Sequence, residues 1–403
     1  MDIHAFAQKA AWEKTVLHRI EPYWRELCDK TDYSVPFFVE EKFYRSALEM
    51  AEAASGEILS GMAEVAAVIK KDRSIARFAS MLHYGFFLSA ENIPLSVLPE
   101  PEIFFGQNAG LFQLLIALSS LPLIRKKYSA MGIPEEYVKG AALWIGGTVP
   151  IYAAAHKGIP GHTAGQTYWL RYHVEGKLFR IGRLEFLMGT MPDWMPEIYR
   201  NINNGEITVL ARDKWEYDSC GCRFPADRAA FTASLQIKNG IVSGTPVNEH
   251  GVPDTGAVVE LDTALWQPLC TATELLPSVH IPGGGGLTPE RVRDSLKKAF
   301  VFFRKYFKTD VKAFVCNSWL LNTVWQTELP ESNIAEFQKI GRMCGQENSS
   351  ASGLFFVYGR EDADPVKEPA YTSLHKAFRN QFLRGDVLRS GTALFLPEKG
   401  NKS

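Results

Sequence analysis

The chain has 403 residues, a formal net charge of -1 from 44 basic and 45 acidic side chains, and 46% hydrophobic residues. Because this length exceeds what one compact core usually holds, it predicts two domains. The balanced charge gives no electrostatic reason to bind nucleic acid or a membrane surface, so a small molecule or another protein is the expected partner.

The amino-terminal end indicates a cytoplasmic protein. The opening MDIHAFAQKAAWEKTV has charges throughout and no continuous apolar segment, unlike a secretion signal. The stretch AGLFQLLIALSSLPLI is broken by polar residues and favours a buried helix over a membrane span. The six cysteines then indicate free thiols. Their one close pair, Cys220 and Cys222, has no second pair beside it, so no metal site is expected.

Residues 1–160 are predicted to form a helical domain. Segments such as VEEKFYRSALEMAEAASGEILSGMAEVAAVIKK are rich in Ala, Leu, Met, Glu and Lys and show little strand-like alternation. Asn and Pro residues in SAENIPLSVLPEPEIFFG separate the helices.

Residues 161–403 are predicted to form a mixed sheet with helices on its faces. KLFRIGRLEFLMG is typical of a strand, and TASLQIKNGIVSGTPV predicts a hairpin at Asn239-Gly240. A strand over residues 275–281 then precedes a helix. The next predicted strand is VKAFVCNSWLL, followed by the helix SNIAEFQKIGRM. The strand after it is GLFFVYG, followed by the helix TSLHKAFRNQFL. VLRSGTALFL is interpreted as the last strand. The fold class is therefore α+β.

One segment of this second domain, VHIPGGGGLTPERVRDSLKKAF, joins a strand directly to a helix through four glycines. Thr288 stands where an N-cap belongs, and Pro289 suits the first helical position. Bare glycine amides at the positive end of a helix dipole can bind an anion such as a pyrophosphate. The spacing matches neither G-x-G-x-x-G nor a P-loop, and Glu290 in the first turn would repel phosphate. A flexible turn is the alternative interpretation.

Four motifs in order, LFRIGRLEF, VHIPGGGGLTPERVRDSLKKAFVFF, VCNSWLL and SNIAEFQ, resemble a bacterial family of acyltransferase-domain proteins. In that family a helical N-terminal domain precedes a C-terminal domain like the general N-acetyltransferase (GNAT) fold. The resemblance implies two parallel strands that diverge at their C-terminal ends and hold acetyl-CoA or another acyl-CoA. The coenzyme-binding segment would be the loop at residues 282–287. The predicted coenzyme-binding residues are Ile281, Gly283, Gly284, Gly285, Gly286, Leu287, Asn317 and Ser318.

Acyl transfer to an amine needs a base, a group that polarises the thioester carbonyl and a group that protonates the thiolate. His280 is the first base candidate, because its pKa lies near neutrality; a structural histidine at a strand end is the alternative. Glu185 is a second base candidate, or else the partner of an arginine such as Arg183. Cys316 is either a nucleophile or a core thiol. Tyr358, expected at a strand end, is either the proton donor to the thiolate or a packing residue.

The sequence therefore predicts a cytoplasmic acyl-CoA-dependent N-acyltransferase with a small-molecule amine acceptor. No basic residue precedes the glycine segment as the usual phosphate loop of the superfamily would require. The alternative hypothesis is therefore a protein of GNAT fold that has lost coenzyme A binding and serves as a binding or scaffold module. No G-x-S-x-G elbow supports a serine hydrolase. The acceptor, the acyl length and the oligomeric state are left open.

Overall fold

The structure, a computed structural model, describes residues 1–225, 229–284, 286–349 and 351–398. Contacts between its residues divide the chain into two units. The first contains Met1–Arg180 together with Pro282–Gly284, and the second contains Ile181–Ile281 and Gly285–Ser403. The domain boundary predicted at residue 160 therefore falls inside the first unit.

The first unit is helical, as the composition of residues 1–160 predicts. Its most apolar helix, Ala109–Leu118, is buried along its whole length. The surrounding segment Glu102–Ala130 is long and apolar enough to cross a membrane. However, 78% of its apolar 18-residue stretch is buried within the protein, as in a core helix. The helices are α1 Ile3–Lys9, α2 Lys14–Asp29, α3 Glu41–Met50, α4 Gly56–Lys71, α5 Arg73–Phe87, α6 Glu102–Phe105, α7 Ala109–Leu118, α8 Leu121–Ala130, α9 Glu135–Ala155 and α10 Ala164–Val174.

The remaining elements follow α10. The strands are β1 Leu178–Ile181, β2 Leu184–Leu187, β3 Glu197–Asn201, β4 Ile207–Leu210, β5 Glu216–Tyr217, β6 Phe231–Thr232, β7 Leu235–Lys238, β8 Ile241–Gly244, β9 Val259–Asp262, β10 Trp266–Pro268, β11 Ser278–His280, β12 Phe314–Ser318, β13 Arg342–Asn348 and β14 Arg389–Phe395. The helices are α11 Pro289–Phe307, α12 Trp325–Glu328, α13 Asn333–Gln338, α14 Leu354–Tyr358 and α15 Ser373–Arg384.

The principal sheet has the order β1-β2-β11-β12-β14-β13. Strands β11 and β12 are parallel, whereas β2 with β11, β12 with β14 and β13 with β14 are antiparallel. The sheet is therefore mixed, which confirms the predicted fold class. Smaller antiparallel sheets, among them β10-β3-β4 and β7-β8-β9, occupy the insertion between β2 and β11.

The two faces of the principal sheet pack against different structures. On one face, Phe314 contacts Phe300 of α11 at a ring-centroid distance of 4.4 Å and Phe186 of β2 at 4.7 Å. Because side chains alternate along a strand, Val315 points to the opposite face. There it belongs to a buried cluster with residues of the inserted sheets such as Ile198 and Val209.

Several sequence-based assignments are confirmed, and three are wrong. The Asn239-Gly240 hairpin forms between β7 and β8. KLFRIGRLEFLMG is two strands joined at Gly182, not one. GLFFVYG is helix α14, not a strand, and begins and ends next to Gly353 and Gly359, both in the left-handed conformation. A short apolar run does not distinguish a strand from a buried helix. The edge strand of the sheet is β13. Its first residues, Arg342 and Met343, belong to the segment SNIAEFQKIGRM that the sequence predicts as a helix.

Candidate active site

The candidate site is the gap where β11 and β12 diverge. The two strands are registered at one residue pair, Ser278 with Val315. Beyond it, β11 continues against β2, and β12 continues against β14. His280 and Asn317 each lie two residues past the registered pair, so they occupy equivalent positions on the two sides of the gap. Diverging parallel strands confirm the geometry that the resemblance implied.

His280 and Glu185 lie opposite each other on β11 and β2. Glu185 is 1% exposed. His280 Nε2 lies 3.1 Å from Ser278 Oγ. Burial lowers the pKa of the His280 imidazole, and the Glu185 carboxylate acts in the opposite direction. The imidazole is therefore largely neutral at pH 7, the form that can accept a proton.

Asn317 belongs to a polar network that spans three strands. Its Nδ2 donates to Glu347 Oε1 of β13 at 2.9 Å and to Thr392 Oγ1 of β14 at 3.2 Å. Strand alternation places these side chains on the same face as His280, opposite α11. We call Glu185, His280, Asn317, Thr392 and Glu347 the polar row. Sequence reasoning missed Glu347 and Thr392, because their position depends on the pairing of strands distant in sequence.

The glycine segment has the backbone conformation that glycine permits. Gly284 has φ +74° and Gly286 has φ +62°, where other residues are strained. A Cβ on Gly284 would meet nothing within 4 Å, whereas one on Gly283 would lie 3.2 Å from the Gly147 carbonyl oxygen. The amides of Gly284, Gly286 and Leu287 find no acceptor among the described residues. Gly285, also predicted to bind the coenzyme, lies outside the described residues.

The first turn of α11 lacks a side-chain cap. Thr288 occupies the N-cap position and Pro289 the first turn, as the sequence predicts, but the Thr288 side chain accepts no hydrogen bond there. The first backbone bond into the helix runs from Val292 N to Thr288 O at 3.1 Å. A 19-residue helix therefore presents uncapped amides and its positive dipole end directly after Leu287.

Two arginines accompany this helix terminus. Arg183, in the turn between β1 and β2, donates from Nε to the Gly286 carbonyl oxygen at 2.8 Å. Its main-chain amide donates to Ser295 Oγ of α11 at 2.7 Å, which fixes the turn against the helix. Arg291 Nη1 would lie 3.9 Å from a Cβ on Gly286. Arg183, which lies 103 residues before Gly286 in the sequence, therefore brings a cation to the glycine segment.

The other predicted residues near the end of β12 have structural surroundings. Cys316 is 1% exposed on the face toward α11. Burial raises the pKa of its thiol to about 12, so the thiolate needed for nucleophilic attack is disfavoured. This favours the core-thiol interpretation. The Ser318 hydroxyl accepts from the Leu320 amide at 3.2 Å and caps the short 3-10 helix Trp319–Leu321 at the end of β12. Ile281 directly follows β11.

Tyr358 is at the end of helix α14, not at the end of a strand. Its ring packs against His375, at a centroid distance of 5.2 Å, and against Phe378, at 6.3 Å. Burial raises the pKa of its hydroxyl to about 12. It belongs to a separate apolar cluster around Trp325 and Phe378, which corresponds to the packing interpretation. Within the described ranges, no group of three His, Cys, Asp or Glu side chains is arranged to hold a metal ion.

Comparison with known proteins identifies relatives of the same fold. A family model described as a GNAT-like C-terminal domain matches residues 178–395. A solved structure of an acyltransferase variant in complex with octanoyl-CoA is similar, with 18% sequence identity and a TM-score of 0.65. A second, an acyltransferase in complex with decanoyl-CoA and teicoplanin, has 17% identity and a TM-score of 0.62. Both comparisons cover 98% of this chain and 100% of the other. No curated protein matched the sequence.

Proposed function

The chain belongs to the family of proteins with the GNAT-like C-terminal domain, and we propose that it is an acyl-CoA-dependent N-acyltransferase that acts on a small-molecule amine. The structures it resembles are of acyltransferases with octanoyl-CoA or decanoyl-CoA, in one case with teicoplanin. A medium-chain acyl-CoA is therefore the donor we propose, in preference to acetyl-CoA. A cytoplasmic location remains part of the proposal.

The observation that carries the proposal is the uncapped start of α11. The amides of Gly286 and Leu287, which have no acceptor among the described residues, precede a helix whose N-cap side chain makes no capping bond. The Arg183 guanidinium is bonded to the carbonyl of the same loop, at Gly286. Unsatisfied amides, a helix dipole and a nearby cation together favour a bound diphosphate, such as that of coenzyme A.

The polar row supplies groups for the transfer itself. In the proposed reaction the amine nitrogen attacks the thioester carbon, the C–N bond forms and the C–S bond breaks. His280, held neutral by burial, takes the proton that the amine loses. Coenzyme A leaves as its thiolate, which is protonated in the site or by solvent. Glu185 lies next to His280 and stabilises the imidazolium that forms.

Isothermal titration calorimetry of the full chain with coenzyme A and with octanoyl-CoA tests the proposal. The wild-type protein should bind both. Gly284→Asp and Gly284→Asn are a matched pair, since the two side chains have the same shape and both tolerate a positive φ better than other residues. The Asp variant should bind coenzyme A at least tenfold more weakly than the Asn variant, because its carboxylate repels phosphate.

A non-catalytic binding protein of the same fold is the competing proposal. Glu290, exposed in the first turn of α11, favours it, because a carboxylate at this position repels a phosphate. Absence of heat with both ligands, and of any shift in melting temperature at millimolar concentration, would decide for this alternative.

A further inference from the structure

We infer that Glu347 is a positioning residue: it turns the Asn317 carboxamide so that its oxygen is directed toward the gap between β11 and β12, where it accepts a hydrogen bond from an N–H group of a bound substrate. The inference rests on the proposed function. It gives a role to strand β13, which does not border the gap. It also assigns hydrogen-bond acceptor character to the β12 side of the site.

The orientation of the carboxamide follows from its partners. A carboxylate only accepts hydrogen bonds, so the group that Asn317 presents to Glu347 must be its NH2 and not its oxygen. The two N–H bonds are directed to Glu347 Oε1 and to Thr392 Oγ1. Both acceptors lie on the β14 and β13 side of β12. In a planar amide the oxygen points away from the NH2 group, and therefore away from β14 and β13.

Glu347 is itself held in place. Its Oε2 lies 3.9 Å from Arg223 Nη1, and that nitrogen donates to the Trp194 carbonyl oxygen at 2.9 Å. The guanidinium carbon of Arg223 lies 3.6 Å from the centroid of the Trp215 ring. Both side chains of the ion pair are largely buried, with exposed fractions of 12% and 20%. A largely buried carboxylate that faces an oriented guanidinium with one oxygen is a suitable support for a second side chain on the other.

The position of Asn317 defines the chemistry of its ligand. It lies on β12 at the position equivalent to His280 on β11. Its oxygen accepts no hydrogen bond from the described residues. A carbonyl oxygen on this wall requires an N–H donor. A transferase with an acyl-CoA and an amine has two such donors, an amide of the pantetheine arm and the acceptor amine.

The variants needed are Asn317→Ala, Glu347→Met, the double variant and Thr392→Val. Met has about the length of Glu and cannot accept the Asn317 hydrogen bond, so the carboxamide is released. Thr392→Val removes one of the two acceptors and leaves Glu347 in place, so its effect should be smaller. Thermal melting of each full-length protein shows whether it folds.

Two measurements then separate the possible donors. Calorimetry gives the Kd for coenzyme A, and CoA release from octanoyl-CoA with hexylamine as the probe nucleophile gives kcat and KM. Glu347→Met should raise either the Kd for coenzyme A or the KM for hexylamine three- to tenfold, as expected for one hydrogen bond. A rise in the Kd for coenzyme A identifies the pantetheine amide as the donor. A rise in the KM for hexylamine alone identifies the amine.

The double variant tests whether Glu347 acts through Asn317. If it does, the double variant should be no worse than Asn317→Ala alone, because the two residues serve one interaction. Glu347→Met with both constants unchanged, or a double variant that shows the product of the two single effects, would overturn the inference alone. A wild-type protein that does not bind coenzyme A would instead overturn the proposed function, and this inference with it.

Discussion

The two faces of the principal sheet differ sharply at the C-terminal ends of β11 and β12. The face toward α11 has Phe186, Val279, Phe314 and Cys316, all at most 2% exposed. The opposite face has the polar row, of which Glu185, His280 and Asn317 alternate with these residues on the same strands, and Thr392 and Glu347 lie on β14 and β13. Near the gap, these strands therefore carry buried apolar side chains on one face and groups for chemistry on the other.

This difference follows from the twofold periodicity of a strand. Aromatic packing against α11 holds β2, β11 and β12 in place, and the polar side chains project from the other face of the same backbone. Substitutions on the α11 face should therefore change stability, whereas substitutions in the polar row should change binding and rate. The predictions below test this separation.

The largest effect is expected for Phe314→Ala on the α11 face. The ring contacts Phe300, Phe186 and Phe303 at centroid distances of 4.4, 4.7 and 5.9 Å. Its loss should lower the free energy of unfolding by about 3–5 kcal/mol, measured by urea denaturation. Phe356→Ala, whose ring is 56% exposed, is the matched control and should cost less than about 1 kcal/mol. Equal losses in the two variants would contradict the assignment of the core to this face.

The next effect concerns rate rather than stability. His280→Gln should lower kcat/KM for CoA release by about 10²–10⁴-fold, with the unfolding midpoint nearly unchanged. Because the pKa of His280 is lowered, the wild-type rate should fall only as the pH drops below the ordinary value of about 6.5. Below the lowered pKa the imidazole is protonated and cannot act as a base.

The same pH profile provides a control for this assignment. Glu185 raises the pKa of His280, so Glu185→Gln should move the acid limb of the profile to lower pH. An acid limb at the same pH in the Glu185 variant, or one that persists in His280→Gln, would show that another group titrates.

A smaller effect is expected at the start of α11. Arg183→Met removes the guanidinium bonded to the Gly286 carbonyl and should raise the Kd for coenzyme A about tenfold, the size of one charge-assisted contact. Arg293→Met is the matched control, since Arg293 is an exposed arginine on the same helix and lies 3.9 Å from the Glu398 carboxylate. Similar affinities of the two variants for coenzyme A would exclude a specific role for Arg183.

The local features of the site were accessible from sequence. The start of α11 was indicated by Thr288 and Pro289, and the strand before it by the apolar run that ends at His280, since caps and periodicity act over a few residues. The divergent parallel pair followed from the resemblance of four motifs. The hairpin at Asn239-Gly240 followed from turn chemistry alone.

What the sequence did not show depends on contacts between distant residues. The sequence suggests Arg183 only as a partner for Glu185. Its bond to Gly286 depends on the packing of the β1–β2 turn on α11 through Ser295. Glu347 reaches Asn317 only when β13 pairs with β14 and β14 with β12. No spacing rule connects residues 30 positions apart across two strand pairings. Tyr358 was misplaced because residues 353–359 have no periodicity that separates helix from strand.

The smallest effect should come from Cys316, which was a candidate nucleophile and lies on the α11 face. Cys316→Ala should leave kcat for CoA release within about twofold of the wild type and lower the free energy of unfolding by about 1 kcal/mol. With a thiol pKa of about 12, Cys316 should also resist iodoacetamide at pH 7.5, whereas the exposed Cys220 should be alkylated and serve as the internal control. Loss of activity in Cys316→Ala without loss of stability would place chemistry on both faces of the sheet, because a core thiol contributes packing and not catalysis.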